Sequence, residues 1–412
     1  MTVSHDADVL ILGAGAAGLM AGFHAARTYP AARIVLLDGA KTLGAKILVA
    51  GGGRCNVTHD VVDENAYAGS SRNAIKKVLL RFDVPETTVF FEKLGVTLKR
   101  EATGKLFPTT DSARTVLDAL LDGVQHAGAV IRHPRRVVWV RQEDGLFVVG
   151  GDWGSMRAKR LIFATGGRSL PKSGSDGHGY SLAQTFGHTL TKQIFPSLVP
   201  LLLPETHFIR ALSGIAAQVT LDVRSGAGKS LASFTDSMLC THFGISGPAA
   251  LDVSRYWLDA HSTDPAARLI VNWLPGRTME QVDSDLQTWR EASWKYAAHL
   301  SERLARSLCE AANILPTTRP DQLPREQRKN LARMLTEMPL PVTGNRGYTY
   351  AEVTAGGVPL TEINLKTMQS RLCPGVFFCG EICDVDGRIG GYKFQWAWAS
   401  GYVAGVSVLA EA

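Results

Sequence analysis

The chain has 412 residues, 45% hydrophobic and 20% charged, with 41 glycines, the composition of a soluble globular protein too long for one core, so two or three domains are predicted. No run of 18 apolar residues occurs, and the start "MTVSHDADVLILGAG" has no basic region ahead of an apolar one, which argues against a membrane span and a secretory signal and makes the cytoplasm the expected compartment. The net charge of +6 comes from scattered Lys and Arg residues, the pattern of an ordinary solvated surface, and argues against nucleic acid as a partner.

In chain order, "DVLILGAGAAGLMAGFHAA" reads as a strand, Val9 to Leu12, entering Gly13-x-Gly15-x-x-Gly18 and a helix of small residues. Gly13 makes the tight turn, Gly15 admits a pyrophosphate against the backbone, and Gly18 lets helix and strand pack closely. The helix start then offers N–H groups and a positive dipole end to phosphates. "RIVLLD" follows as a second buried strand ending in Asp38, twenty residues after Gly18, where an acid accepts hydrogen bonds from an adenosine ribose and disfavours a 2′-phosphate. A βαβ unit for FAD or NAD is predicted.

An NAD domain would continue with alternating strands and helices. Here the chain gives "GAKTLGAKILVAGGGRCNVTH", which suits backbone passing over a flat ring system. A flexible surface loop is the alternative, but it would expose Ile47, Leu48, Val49 and Val57. "RRVVWVRQEDGLFVVGG" reads as a hairpin about Glu143-Asp144-Gly145, and "RLIFATGGRSLP" as a strand, Leu161 to Ala164, stopped by Thr165-Gly166-Gly167. "SGSDGHGYSLAQTFGH" leads into a helix from about Tyr180.

From about 193 to 272 short β-like runs dominate, and from about 277 to 338 the pattern is helical. "GAGKS", residues 226–230, lacks the earlier glycine of a phosphate-binding loop, since position 223 is Val223, and reads as a hairpin turn. The C-terminal piece returns with "GVFFCGE", a strand from Val376 to Cys379, then "DVDGRIGGY" and a helix from near Gly391-Tyr392. Ala397, Ala399, Gly401, Ala404 and Gly405 permit that helix to pack closely. Its N-terminus, aimed at a flavin pyrimidine edge, would stabilise negative charge on the reduced ring. No second G-x-G-x-x-G follows a strand, so no dedicated NAD(P)H domain is visible.

The six cysteines have no C-x-x-C spacing and no matching His pairs, so no metal site is expected and reduced thiols are. Cys55 has no neighbouring cysteine for disulfide exchange, which leaves it as a small neighbour of the ring and not a nucleophile.

The blocks "GAGAAGLMAG", "GAKILVAGGGRCNVTH", "GKLFPTTDSARTVLDAL", "ATGGRSLPKSGSDGHGYSLAQTFGH", "THFGISGPAALDVS", "VTAGGVPLTEIN" and "GVFFCGEICDVDGRIGGYKFQWAWASG" resemble, along essentially the whole chain, the BaiN-like bacterial NAD(P)/FAD-dependent oxidoreductases. The resemblance implies an α/β protein with a discontinuous Rossmann-like FAD-binding domain (1–190 and 343–412). Inserted in it would be a β-barrel-like domain (191–275 and 337–342) and a small helical domain (276–336). It places Gly13, Gly15, Ala16, Ala17, Gly18, Asp38 and Gly39 at the adenosine diphosphate. Lys46, Gly51, Gly52, Gly53, Arg54, Cys55 and Asn56 would lie near the flavin and its ribityl chain. Val137, Thr165, Gly166 and Gly167 are further cofactor contacts, and Gly380, Glu381, Asp386, Gly391, Tyr392, Lys393 and Phe394 would frame the isoalloxazine. Ala50, Lys393 and Phe394 stand where serine, asparagine and leucine are common in the family, and Lys393 adds positive charge.

The activity this implies is hydride transfer between N5 of a non-covalent FAD and a small organic substrate, as an NAD(P)H-dependent reductase of an activated C=C bond. Two alternatives are an oxygen-using FAD amine oxidase and a flavin-bound protein with a nucleic-acid role. His242, in "CTHFGISGP", is the candidate proton donor, with a structural histidine as the equal alternative. Ser246 is the expected N-cap of the helix that follows it. Glu381 and Asp386 suit ribityl or turn roles better than acid catalysis, and Trp396 and Trp398 suit packing.

Overall fold

The computed structural model describes residues 5–410, which divide into two compact units. The first runs to Pro196 and resumes at Glu352, and the second is the intervening Ser197–Ala351. The seams thus fall at 196/197 and 351/352, beyond the 190/191 and 342/343 boundaries read from the sequence.

The first unit is built on five parallel strands: β1 (Ala7–Leu12), β2 (Ile34–Leu37), β3 (Val130–Arg132), β4 (Gly154–Phe163) and β5 (Val376–Phe378), in the spatial order β5-β4-β1-β2-β3. Parallel strands covered on both faces read as continuous apolar runs, and "LIL" in β1 and "IVLL" in β2 are fully buried. The register aligns the carboxyl ends: Leu12 pairs with both Leu37 and Phe163, and Phe163 pairs with Phe378. The segments that begin at Gly13, Asp38, Ala164 and Cys379 therefore leave the sheet side by side. In open α/β sheets this carboxyl edge is where ligands bind.

Helix α1 (Ala16–Thr28) crosses from β1 to β2, and the C-terminal helix (Tyr392–Ser407) packs against it. The small residues in the second helix have the packing task read from the sequence. A Cβ at Gly401 would stand 2.6 Å from the Ala17 carbonyl oxygen, and one at Gly405 2.5 Å from that of Ala21. The expected hairpin forms between strands Trp139–Glu143 and Leu146–Gly151, with Asp144 and Gly145 at φ 49° and 77°, the left-handed pair of a type I′ turn.

The second unit holds a seven-stranded antiparallel sheet in the order Met338–Leu340, Arg268–Asn272, Ala216–Arg224, Ser230–Thr241, Gly244–Ser246, Leu201–Leu202, Gly344–Asn345. "GAGKS" is the turn between the two longest of these strands. The helical stretch is three helices, Met279–Leu286, Glu302–Ala311 and Arg325–Thr336, which share one core with the sheet through Leu269, Val271, Val282, Leu304 and Leu331.

Three local expectations need correction. β4 starts seven residues before Leu161, because its outward positions Arg157 and Lys159 hide the apolar alternation; β4 and β5 end at Phe163 and Phe378, one residue early. Ser246 is not a cap: it pairs with Leu239 in the sheet, so Gly247, at φ 87°, caps helix Pro248–Thr263. Residues Ala45–Val49 form a short helix, α2, and Val49 is 59% exposed, although Ile47 and Val57 are buried as expected.

Candidate active site

The first loop off the sheet behaves as its glycines dictate. Gly13 has φ 101°, and a Cβ there would stand 2.5 Å from the Ala164 carbonyl oxygen. A Cβ at Gly18 would lie 1.9 Å from the carbonyl oxygen of Gly13, so both positions exclude any side chain. Gly15 differs: its Cβ would meet nothing within 4 Å. It is the N-cap of α1, no side chain among the described residues caps that helix, and no acid occupies its first turn. Ala16 and Ala17 open that turn. Bare backbone and a positive helix end thus face open space, as an anionic diphosphate requires.

Asp38, at the end of β2, is held by backbone. Its Oδ2 accepts from the Ala14 N–H at 2.6 Å and its Oδ1 from the Ala40 N–H at 2.7 Å, which fixes the glycine loop against the next strand. Arg136 packs over Gly39, and Val137 is buried beyond it.

The second segment is the run behind α2. Gly51, Gly52 and Gly53 have φ 57°, 69° and 86°, and Cys55 follows at 59°. Three consecutive left-handed residues are open only to glycine without strain. A Cβ at Gly52 meets nothing within 4 Å. Cys55 is fully buried, and burial pushes its thiol up to about 12, so it is no thiolate. Arg54 turns toward acids: Nη1 lies 2.6 Å from Glu101 Oε1, and its guanidinium sits 4.1 Å over the Phe107 ring. Asn56 is buried, and its Oδ1 has no hydrogen-bond partner among the described residues.

Thr165, the residue after Ala164, also carries a buried hydroxyl without a partner among the described residues. Gly166 and Gly167 lead from it into a polar hub that the sequence did not reveal. Lys46 Nζ lies 2.6 Å from Glu381 Oε2 and donates to Ser169 Oγ at 2.7 Å. Glu381 Oε1 accepts from Ser169 Oγ at 2.8 Å and from the Thr354 N–H at 2.9 Å. Burial pushes the Glu381 carboxyl up, but Lys46, Ser169 and Thr354 more than offset this and hold it below the ordinary value. Ser169 and Thr354 lie within the blocks "ATGGRSLPKSGSDGHGYSLAQTFGH" and "VTAGGVPLTEIN", but neither their type nor their spacing marks them as partners of Lys46 and Glu381.

The last segment is anchored by two tryptophans. Trp396 Nε1 donates to the Gly380 carbonyl at 3.0 Å and Trp398 Nε1 to that of Val57 at 2.9 Å. Phe394 stacks on Trp398, with ring centroids 5.5 Å apart. Gly391, at φ 98°, is the N-cap of the C-terminal helix, again with no side-chain cap. Tyr392 stacks on His59. Lys393 Nζ lies 2.8 Å from Glu352 Oε2. Asp386, buried, pairs with Ala68 in a short antiparallel ladder.

All the expected cofactor residues therefore belong to the first unit, on segments that leave neighbouring strand ends or pack against them. His242 belongs to the second unit; it is exposed on a tight turn, and Arg210 Nε donates to its carbonyl at 2.7 Å. The orphaned Asn56 Oδ1 and Thr165 Oγ1, the open faces of Gly15 and Gly52, and two uncapped helix starts make a donor and acceptor set that fits FAD.

Residues 7–407 match the family model described as HI0933-like protein Rossmann domain. The chain belongs to the HI0933-like family. This HI0933-like chain is 33% identical over 411 residues to the ribosomal RNA dihydrouridine synthase of Escherichia coli, covering 98% of each chain. It is 32% identical over 402 residues to the 3-dehydro-bile acid delta(4,6)-reductase of Clostridium scindens, covering 96% of this chain and 97% of the relative. Among solved structures it has the fold of the 3-ketosteroid delta1-dehydrogenase from Sterolibacterium denitrificans, at 12% identity and a TM-score of 0.51, over 98% of this chain and 99% of that one. The HI0933-like chain is an FAD-dependent oxidoreductase with a Rossmann-type FAD-binding fold. No helix among the described residues is long and apolar enough to cross a membrane.

Proposed function

We propose that this flavoprotein reduces a carbon–carbon double bond conjugated to a carbonyl group, with NADH or NADPH as the transient electron donor. One observation carries this reading: the two relatives, each about a third identical over almost the whole chain, have names that both describe saturation of such a bond. FAD, when bound, would supply the hydride-transfer chemistry between nicotinamide and substrate.

The residues would divide the remaining work. Gly13 to Gly18 and the start of α1 bind the diphosphate, and Asp38 keeps that loop in place. The Gly51 to Asn56 run would hold the flavin, with the unpartnered Asn56 Oδ1 as a polar contact. The Lys46–Glu381 hub would hold together the segments behind β2 and β5 that are expected to carry the flavin. The uncapped start of the C-terminal helix would supply positive partial charge to the flavin. His242 is the proposed proton donor to the substrate carbon, and the division into an FAD domain, a β-rich domain and a helical domain belongs to the same proposal.

A second reading concerns the substrate. The ribosomal RNA dihydrouridine synthase relative favours a uracil ring within RNA, which puts nucleic acid back among the partners that the scattered charge argued against. Anaerobic half-reactions decide. Reduction of bound flavin by NADH or NADPH, followed by reoxidation with a small conjugated ketone, supports the first substrate; reoxidation only by uridine-containing ribosomal RNA supports the second. Reduction by an amine and by neither nicotinamide would overturn the reductase reading in favour of an oxidase.

A further inference from the structure

One ion pair of the first unit borders the Glu381 hub, because the Glu352 carbonyl accepts from Ser169 Oγ. Lys393 and Glu352 are 2.8 Å apart, and both are half-buried. Lys393 is the second residue of the C-terminal helix, one residue beyond Gly390 and Gly391 at φ 123° and 98°. A cation in the first turn of a helix is disfavoured by the macrodipole, so helix stability does not account for it. Its Nζ instead lies 3.5 Å from the Glu352 carbonyl oxygen, which also accepts from Ser169 Oγ of the hub at 3.3 Å. Glu352 answers it: Lys393 first, against the cost of burial, and then Lys105 and Lys46 hold that carboxyl below its ordinary value. The pair therefore joins the start of the C-terminal helix to the hub, two of the segments expected to frame the ring.

We propose that Lys393 and Glu352 act as an electrostatic positioning pair that sets how much positive charge the C-terminal helix presents to the flavin, and thereby its reduction potential. The proposal rests on the FAD reading above. The partial positive charge of the helix start and the full charge of Lys393 both favour a ring that has gained negative charge, and Glu352 opposes them. Removing the lysine makes the flavin harder to reduce. Removing the carboxylate makes it easier.

The test compares the FAD-loaded parent protein with Lys393→Met, Lys393→Arg and Glu352→Gln. The readouts are bound FAD after denaturation, the midpoint potential against reference dyes, and the affinity for sulfite, a probe that leaves negative charge on the ring. Lys393→Met is expected to lower the equilibrium constant for two-electron reduction about tenfold, equivalent to about 30 mV, and to weaken sulfite binding about tenfold. Glu352→Gln shifts both the opposite way, and Lys393→Arg stays near the parent. If Lys393→Met and Glu352→Gln keep their FAD with potentials and sulfite affinities within about twofold of the parent, the pair has no such role. If Lys393→Met loses its FAD, the direction of the Glu352→Gln shift decides alone. A parent chain that binds no FAD overturns the flavin reading and this proposal together, an outcome distinct from a flavin whose potential does not move.

Discussion

Lys46 Nζ and Glu381 Oε2 stand 2.6 Å apart across a sequence separation of 335 residues, which ties the segment behind β2 to the one behind β5. Both side chains are largely shielded, so the pair is worth more than a surface bridge but leaves a costly orphan when cut. Lys46→Met, which strands a carboxylate among Ser169 and Thr354, is expected to destabilise the protein by about 3 kcal/mol. Lys46→Met with Glu381→Gln should cost less than the two single changes added together, and urea denaturation of the four proteins checks this. The pH dependence has a definite sign. Because Glu381 is held below its ordinary 4.5 in the fold, its contribution is complete above that value and is lost as pH falls through the lowered one.

Gly15 and Gly18 make a contrast that separates cofactor binding from folding. A methyl at Gly18 meets the Gly13 carbonyl at 1.9 Å, with the Ala164 Cβ at 3.3 Å, and the Gly13 backbone cannot yield. Gly18→Ala should therefore destabilise even the FAD-free protein, by about 3 kcal/mol. A methyl at Gly15 meets only open space. Gly15→Ala should leave the FAD-free melting temperature unchanged and weaken FAD binding about tenfold, by crowding the diphosphate. Equal melting-temperature losses in the two variants would show that Gly15 serves packing alone.

This contrast also marks what the sequence could and could not reveal. The turn at Gly13 to Gly18, the acid at Asp38 and the small-residue face of the C-terminal helix are set by local geometry, so their spacing alone is informative. The hub is different: Lys46 meets Ser169 across 123 residues, and neither serine nor Thr354 has a type or spacing that points to the other. Ser246 failed as a cap for the opposite reason. Its local signal is sound, but pairing with Leu239 had already committed its backbone to the sheet. Tertiary hydrogen bonds outweighed a preference worth about 1 kcal/mol.

His24 supplies a second pH dependence. It is half-buried on α1, its ring packed among Phe23, Phe82, Phe90 and Tyr402, and its buried Nε2 has no hydrogen-bond partner among the described residues. Burial, with a small contribution from Arg27, pulls it from 6.5 down to about 4. The unfolded chain therefore binds a proton that the fold refuses. Stability is complete above pH 6.5 and falls as pH drops toward 4, by about 3 kcal/mol in all. His24→Leu should flatten that limb, and urea midpoints between these pH values measure it. A parent protein with no slope across the range would show that the ring charges without cost.

Cys55 stands inside the most glycine-rich segment of the chain, yet its chemistry is closed. Its thiol is buried and pushed up to about 12, so at neutral pH the reactive thiolate is scarce and shielded from solvent. Iodoacetamide at pH 8 should leave it unmodified in the folded protein, as it should Cys379 and Cys383, which are also buried with raised values. Cys373, half-buried on the surface, should be alkylated first, and mass spectrometry of the peptides reads the order. Cys55→Ala, with the smaller side chain still held at φ 59°, should keep its FAD and its turnover while losing about 1 kcal/mol of packing. A variant that holds FAD and fold but cannot turn over would make the thiol a participant in the reaction.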